Sequence, residues 1–225
     1  MRLLTVPATT LAMILVAACG TSAQSIFLDE GESGFSLAMG MEKSNDIDGT
    51  IVQAAGSSGG NLDFSIGVGF YDPEVTVIGG TLDYFVHKPK RKALPVAVSL
   101  GGRFEFANAE VEGYTGAGWG TRSVESKLVG AQLGFHHTLG DTPGMTATLS
   151  YHLGGAIVFL PYSQNDKIGL ADVSLNHGFK IMNGLWLILG GGGAWVDGEG
   201  SYNISLGVFS KSTPRTNRDD PNSPF

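Results

Sequence analysis

The chain has 225 residues, 34 of them Gly, with 16% charged residues and a formal net charge of -7. That length suits one domain, and the Gly-rich, charge-poor composition excludes a helical bundle or a disordered chain and fits a turn-rich, all-β one. An acidic chain without Lys and Arg clusters is also no nucleic-acid partner, because phosphate neutralisation needs them. The single Cys excludes an internal disulfide.

The N terminus has the three parts of a secretory signal: Arg2, an apolar stretch over 3–18, and small residues up to 23. It is too short and too sharply ended for a membrane-spanning helix. Two processing routes fit. Val16-Ala17-Ala18-Cys19 resembles the lipobox of bacterial lipoproteins, which implies lipidation of Cys19. Thr21-Ser22-Ala23 before Gln24 suits an ordinary signal peptidase, and Cys19 is then one residue of a discarded leader. The expected division is a signal over 1–23, a β-barrel over 33–210 and a disordered polar tail over 211–225, the tail carrying Pro214, Pro221 and Pro224.

Taken in chain order, strands are predicted wherever apolar and polar residues alternate between Gly, Pro, Asn and Asp breaks. Phe35, Leu37, Met39 and Met41 share the first face. A short, ambiguous partner lies near 50–55. Leu62, Phe64, Ile66, Val68 and Phe70 oppose Asp63, Ser65, Gly67 and Gly69. In the next strand Leu82, Tyr84 and Val86 oppose Asp83, and Gly79-Gly80 is a candidate bulge that shifts the phase. The segment 94–106 is the clearest: Leu, Val, Val, Leu, Gly, Phe, Phe on one face, with Arg103 and Glu105 on the other. A Gly-rich stretch over 108–126 reads as the largest surface loop.

Val129, Ala131, Leu133 and Phe135 then oppose Gln132 and His136. Met145, Leu149, Tyr151 and Leu153 oppose Thr148, Ser150 and His152. Val173, Leu175, His177 and Phe179 face away from Asp172, Asn176 and Lys180. Residues 185–196 are apolar on both faces, and Tyr202, Ile204, Leu206 and Val208 oppose Asn203, Ser205 and Gly207. About ten strands result, with eight to twelve fitting, in an antiparallel up-and-down transmembrane β-barrel. Short breaks at 57–60, 88–92, 140–144 and 182–184 belong on the periplasmic side, and longer ones outside.

The expected lumenal polar network is Asp63, Asp83, Arg103, Glu105, Gln132, Asp172, Asn176, Lys180 and Asn203, with opposite charges pairing inside a narrow barrel. Tyr71, Tyr84, Phe104, Phe106, Tyr151, Trp195 and Tyr202 are candidates for interfacial girdles. The Gly-rich spots lie outside any strand-turn-helix unit and lack a P-loop Lys, so they read as packing rather than phosphate binding. His136 and His152 fall on one lumenal face of neighbouring strands, but two ligands do not make a metal site. Ser150 and His152, two apart, have the spacing of a nucleophile and base on one face.

With its export signal, its alternating segments at 62–70 and 94–106, and its long-loop, short-turn asymmetry, the chain resembles over 33–210 the small outer-membrane β-barrel proteins of Gram-negative bacteria. One departure is the polar tail that follows Val208 and Phe209, where such barrels often end on an aromatic residue. The resemblance implies a cell outer-membrane location, lipids and the barrel-assembly machinery as partners, no cofactor and no enzymatic activity. The implied role is structural, adhesive or minor solute passage. Two alternatives remain: a secreted or lipid-anchored soluble β-barrel with its apolar face turned inward onto a ligand, and a lipid-modifying barrel enzyme.

Overall fold

The computed structural model of the protein describes residues 28, 32–44, 48–72, 74–88, 96–114, 119–142, 144–159, 165–196 and 199–212. Its strands are β1 (Ser33–Ser44), β2 (Asp48–Ser58), β3 (Leu62–Asp72), β4 (Val75–His87), β5 (Val96–Tyr114), β6 (Trp119–Thr142), β7 (Met145–Phe159), β8 (Asp166–Met182), β9 (Leu185–Val196) and β10 (Glu199–Ser212). Each pairs antiparallel with its chain neighbours, and β1 also pairs with β10, from Ser33↔Ser212 to Ser44↔Ser201. The sheet is a closed ten-stranded barrel, so no strand edge is left along its wall. The signal with Cys19 lies outside the described residues, as does the tail after Ser212.

Side chains alternate across each strand, and here the large apolar set points outward. All ten strands contribute to this exposed belt, among them Met41 at 72% exposure, Ile66 at 53%, Leu153 at 54% and Ile204 at 69%. No soluble monomer carries apolar surface on this scale, whereas hydrocarbon requires it. The soluble alternative needs these same residues inside, and the structure turns them out.

The barrel has two mouths. At the terminal mouth the chain enters β1 and leaves β10, and the links from Ser58 to Leu62, His87 to Val96, Thr142 to Met145 and Met182 to Leu185 lie there. The Ser58–Leu62 link turns on Gly59 and Gly60 at φ 63° and 71°, the left-handed region that glycine enters without steric cost. At the opposite mouth β5 and β6 run past their outer neighbours. β4 ends its pairing at Val75↔Ala109 and β7 at Lys127↔Phe159, while β5 and β6 stay paired to Tyr114↔Trp119. With 19 and 24 residues, they exceed the roughly 9 to 11 that a tilted membrane strand needs.

Several expectations are corrected. The 108–126 stretch is a two-stranded ribbon with only its tip between Tyr114 and Trp119, so the asymmetry between the mouths lies in strand length. Its Gly-rich, polar composition hid it in the sequence. The His87 to Val96 link, expected short, is longer than the Phe159 to Asp166 link at the other mouth. Gly79-Gly80 holds its phase, and the register shifts between Phe85 and His87 instead. The ambiguous 50–55 segment is the full-length β2. Lys211 and Ser212, assigned to the tail, belong to β10.

Candidate functional site: a polar compartment inside the barrel

Inward-facing residues change in character along the barrel. Towards the ribbon mouth the lumen is apolar, filled by a cluster that includes Ile51, Val77, Ala107, Leu128, Val158, Leu170 and Val196. Towards the terminal mouth Phe209 and Phe85, at 0% and 4% exposure, face inward beside Ala97. Most of the charged residues lie between, while buried Glu42 is bonded to Tyr71 of the apolar cluster, and Ser57, Asp63 and Thr146 are buried near the terminal mouth. A uniformly polar lumen is therefore not what the chain builds, and short apolar inward runs at strand ends account for the difference.

Neighbouring strands assemble the polar layer through their register. Asp83 on β4 reaches over Gly101 of β5, where a Cβ would collide with its carboxylate, and accepts hydrogen bonds from Gln132 Nε2 on β6 at 3.0 and 3.1 Å. Arg103 stands 3.5 Å from Glu105 on its own strand and 3.7 Å from Asp172 on β8. The other Asp172 oxygen accepts from His152 Nδ1 at 2.7 Å. His136 sits between two hydroxyls, Ser99 Oγ at 2.9 Å and Ser150 Oγ at 3.0 Å. Its ring meets those of His152 edge-on at 5.1 Å and Phe85 at 5.0 Å, which ties the polar layer to the aromatic one.

Glycine makes the room. A Cβ on Gly134 would collide with Ser99 Oγ, His136 and His152 together. The apolar-looking β9 is reconciled in the same way: Gly190 and Gly192 face inward, and Asn176, Ser205 and Ser174 of the adjoining strands occupy the space that side chains there would take.

Of the expected network, the structure gathers Asp63, Asp83, Arg103, Glu105, Gln132, Asp172 and Asn176 inside, each at 9% exposure or less. Lys180 is exposed near the terminal mouth, where the β8 register shifts, and Asn203 is only half-buried. Lys180 pairs in phase with Trp186 but stands two residues from the end of β8, and its side chain is outside the packed network. Asn203 instead borders a cavity of about 20 Å³ with Gln53, Ser205 and Ile51, room for about one water.

The sequence reading missed two lumenal groups. Tyr71, expected in a girdle, is buried and donates to Glu42 Oε2 at 2.8 Å. Its odd number, shared with Asp63 and Ser65, carries the signal. Glu42 shares the parity of Ser36 in the same way, whereas Ser99 is buried on the lumenal face with Arg103, where the alternation over 94–106 puts it. Tyr84, Phe104, Phe106, Trp195 and Tyr202 do face outward. Ser150 serves His136 rather than His152, so the serines and the carboxylate attend different imidazoles. Among the described residues no group of three or more His, Cys, Asp or Glu could hold a metal ion.

Outward apolar belt, closed sheet and filled interior together define a transmembrane β-barrel. Among similar solved structures are the KdgM porin in complex with disordered oligogalacturonate (10% identity, covering 78% of this chain and 98% of that one, TM-score 0.41), the β domain of the Bordetella autotransporter Brka (11% identity, 82% and 100%, TM-score 0.44), and Ail of Yersinia pestis with a heparin analogue (12% identity, 82% and 100%, TM-score 0.35). No family model matches the chain. No curated protein matches it either.

Proposed function

We propose that the protein is an integral outer-membrane barrel with a closed lumen, a structural anchor that carries the β5–β6 ribbon on the cell surface. The observation that supports this most directly is the filled interior. An apolar cluster beneath the ribbon mouth and a buried, cross-linked polar network below it leave no continuous wet path, and a narrow barrel has little space beyond its own side chains. On this reading the outer-membrane lipids cover the apolar belt, and the barrel-assembly machinery inserts the chain after export. Enzymatic activity is not part of the proposal: His136 contacts two serines, while the carboxylate is held by His152.

Two measurements test the proposal. After high-salt washing the protein should stay in the outer-membrane pellet and should leave it only in detergent. Purified protein in a planar bilayer should give no steady porin-like current. A stable conductance from the unmodified protein would replace the anchor with a solute path, and release by salt would remove the protein from the membrane.

A further inference from the structure

Leu28 precedes β1 and belongs to no strand, yet it is 1% exposed. Its carbonyl accepts a hydrogen bond from Lys88 Nζ at 2.6 Å, and the same ammonium donates to Gly60 O at 2.8 Å in the β2–β3 turn. Lys88 follows the terminal-mouth end of β4, so its amine ties the chain ahead of β1 to two hairpin ends of that mouth. Glu32 repeats the pattern. Its buried carboxylate lies 2.6 Å from Lys211 Nζ of β10. An ordinary leader-to-strand connection would run out into water. Here an apolar residue is buried at the mouth where the chain enters, and an ammonium group holds its carbonyl.

We propose that Leu28 is a stopper, latched by Lys88, that closes the terminal mouth. The polar compartment above becomes accessible to water from that side when the latch is lost. A Lys suits the task because one ammonium can donate to two backbone carbonyls at once, and hydrogen bonds from a charged group are stronger than neutral ones. The surrounding residues make the stopper worthwhile: Ser99 and His136 lie directly beyond Phe85, and wetting them would expose a network otherwise kept dry.

The experiment is thiol labelling of the full mature protein carrying Ser99→Cys, using a charged, water-soluble maleimide. The protein without Ser99→Cys serves as the blank, which also accounts for Cys19 if it is retained. Labelling should be slow in Ser99→Cys alone. It should rise about tenfold or more when Lys88→Met or Leu28→Asp is added, since losing a charged hydrogen bond shifts a local opening equilibrium by that order. Lys88→Arg should stay slow. A cysteine at Ala107, in the apolar layer near the other mouth, reports general loosening, and rates are read on protein whose circular dichroism retains the sheet signal. Equal rates with and without the latch would overturn the proposal, as would fast labelling of Ser99→Cys alone or equal acceleration at Ala107→Cys.

Discussion

Arg103 on β5 and Asp172 on β8 face each other across the lumen at 3.7 Å, three strands apart around the wall. No backbone ladder joins those strands, so the ion pair braces the barrel from within. Both side chains are buried, at 3% and 7% exposure, where a charge without its partner is costly.

Arg103→Met should therefore lower the stability of the folded barrel by about 3 kcal/mol, because Glu105 and Asp172 lose the cation beside them. Adding Glu105→Gln should recover part of that loss, as expected when two groups are coupled. Urea unfolding of both variants in lipid vesicles, followed by Trp fluorescence, measures the difference. Additive losses would mean that the Arg103–Glu105 contact carries no energy.

Gly134→Ala should be among the most damaging single-methyl additions, costing roughly 1 to 3 kcal/mol by overpacking. The new Cβ would strike Ser99 Oγ, His136 and His152 in the crowded interior. Gly140→Ala, with nothing within 4 Å of its Cβ, should change little. Melting temperatures of the two variants side by side check the contrast, and equal melting temperatures would contradict the account of the layer.

The belt makes its own prediction. Ile66→Arg and Leu153→Arg should each reduce folding into bilayers by about 2 to 4 kcal/mol, the cost of an arginine near the membrane midplane. Ser210→Arg, near the terminal mouth on the same outward face, should cost about 1 kcal/mol or less, since that penalty fades at the interface. Assembly yields in vesicles would separate them, and a similar loss at all three would deny the belt its depth.

Ribbon orientation can be read on living cells. An epitope inserted at Gly116, in the tip between Tyr114 and Trp119, should be labelled on intact bacteria. One inserted at Pro89, between His87 and Val96, should need a permeabilised outer membrane. Labelling of Pro89 alone on intact cells would invert the barrel.

Facing was legible in the sequence wherever one side of a strand meets lipid and the other meets polar groups. Segments 62–70 and 94–106 keep strict alternation for that reason. The reading lost accuracy where a different pressure acts. Tyr71 and Ile51 are apolar but inward, because the lumen near the ribbon mouth is dry, so residue type there no longer reports facing. In β9 the inward positions hold Gly190 and Gly192, since the polar contribution comes from side chains of β8 and β10. The contacts within the network were beyond reach: Asp83 finds Gln132 only because register places Gly101 between them, and register is a long-range property.

Ser212 Oγ donates to Ser33 O at 3.2 Å across 179 residues of sequence. Every other strand pair joins neighbours along the chain, so nine of the ten pairings can nucleate as local hairpins, while the β1–β10 pairing must wait for the whole polypeptide. Loop-closure entropy puts that step last and makes it slow. Until it occurs, two long strand edges stay open to pairing with other chains. A shortened chain that lost β10 would keep most of its hairpins and never leave that aggregation-prone state.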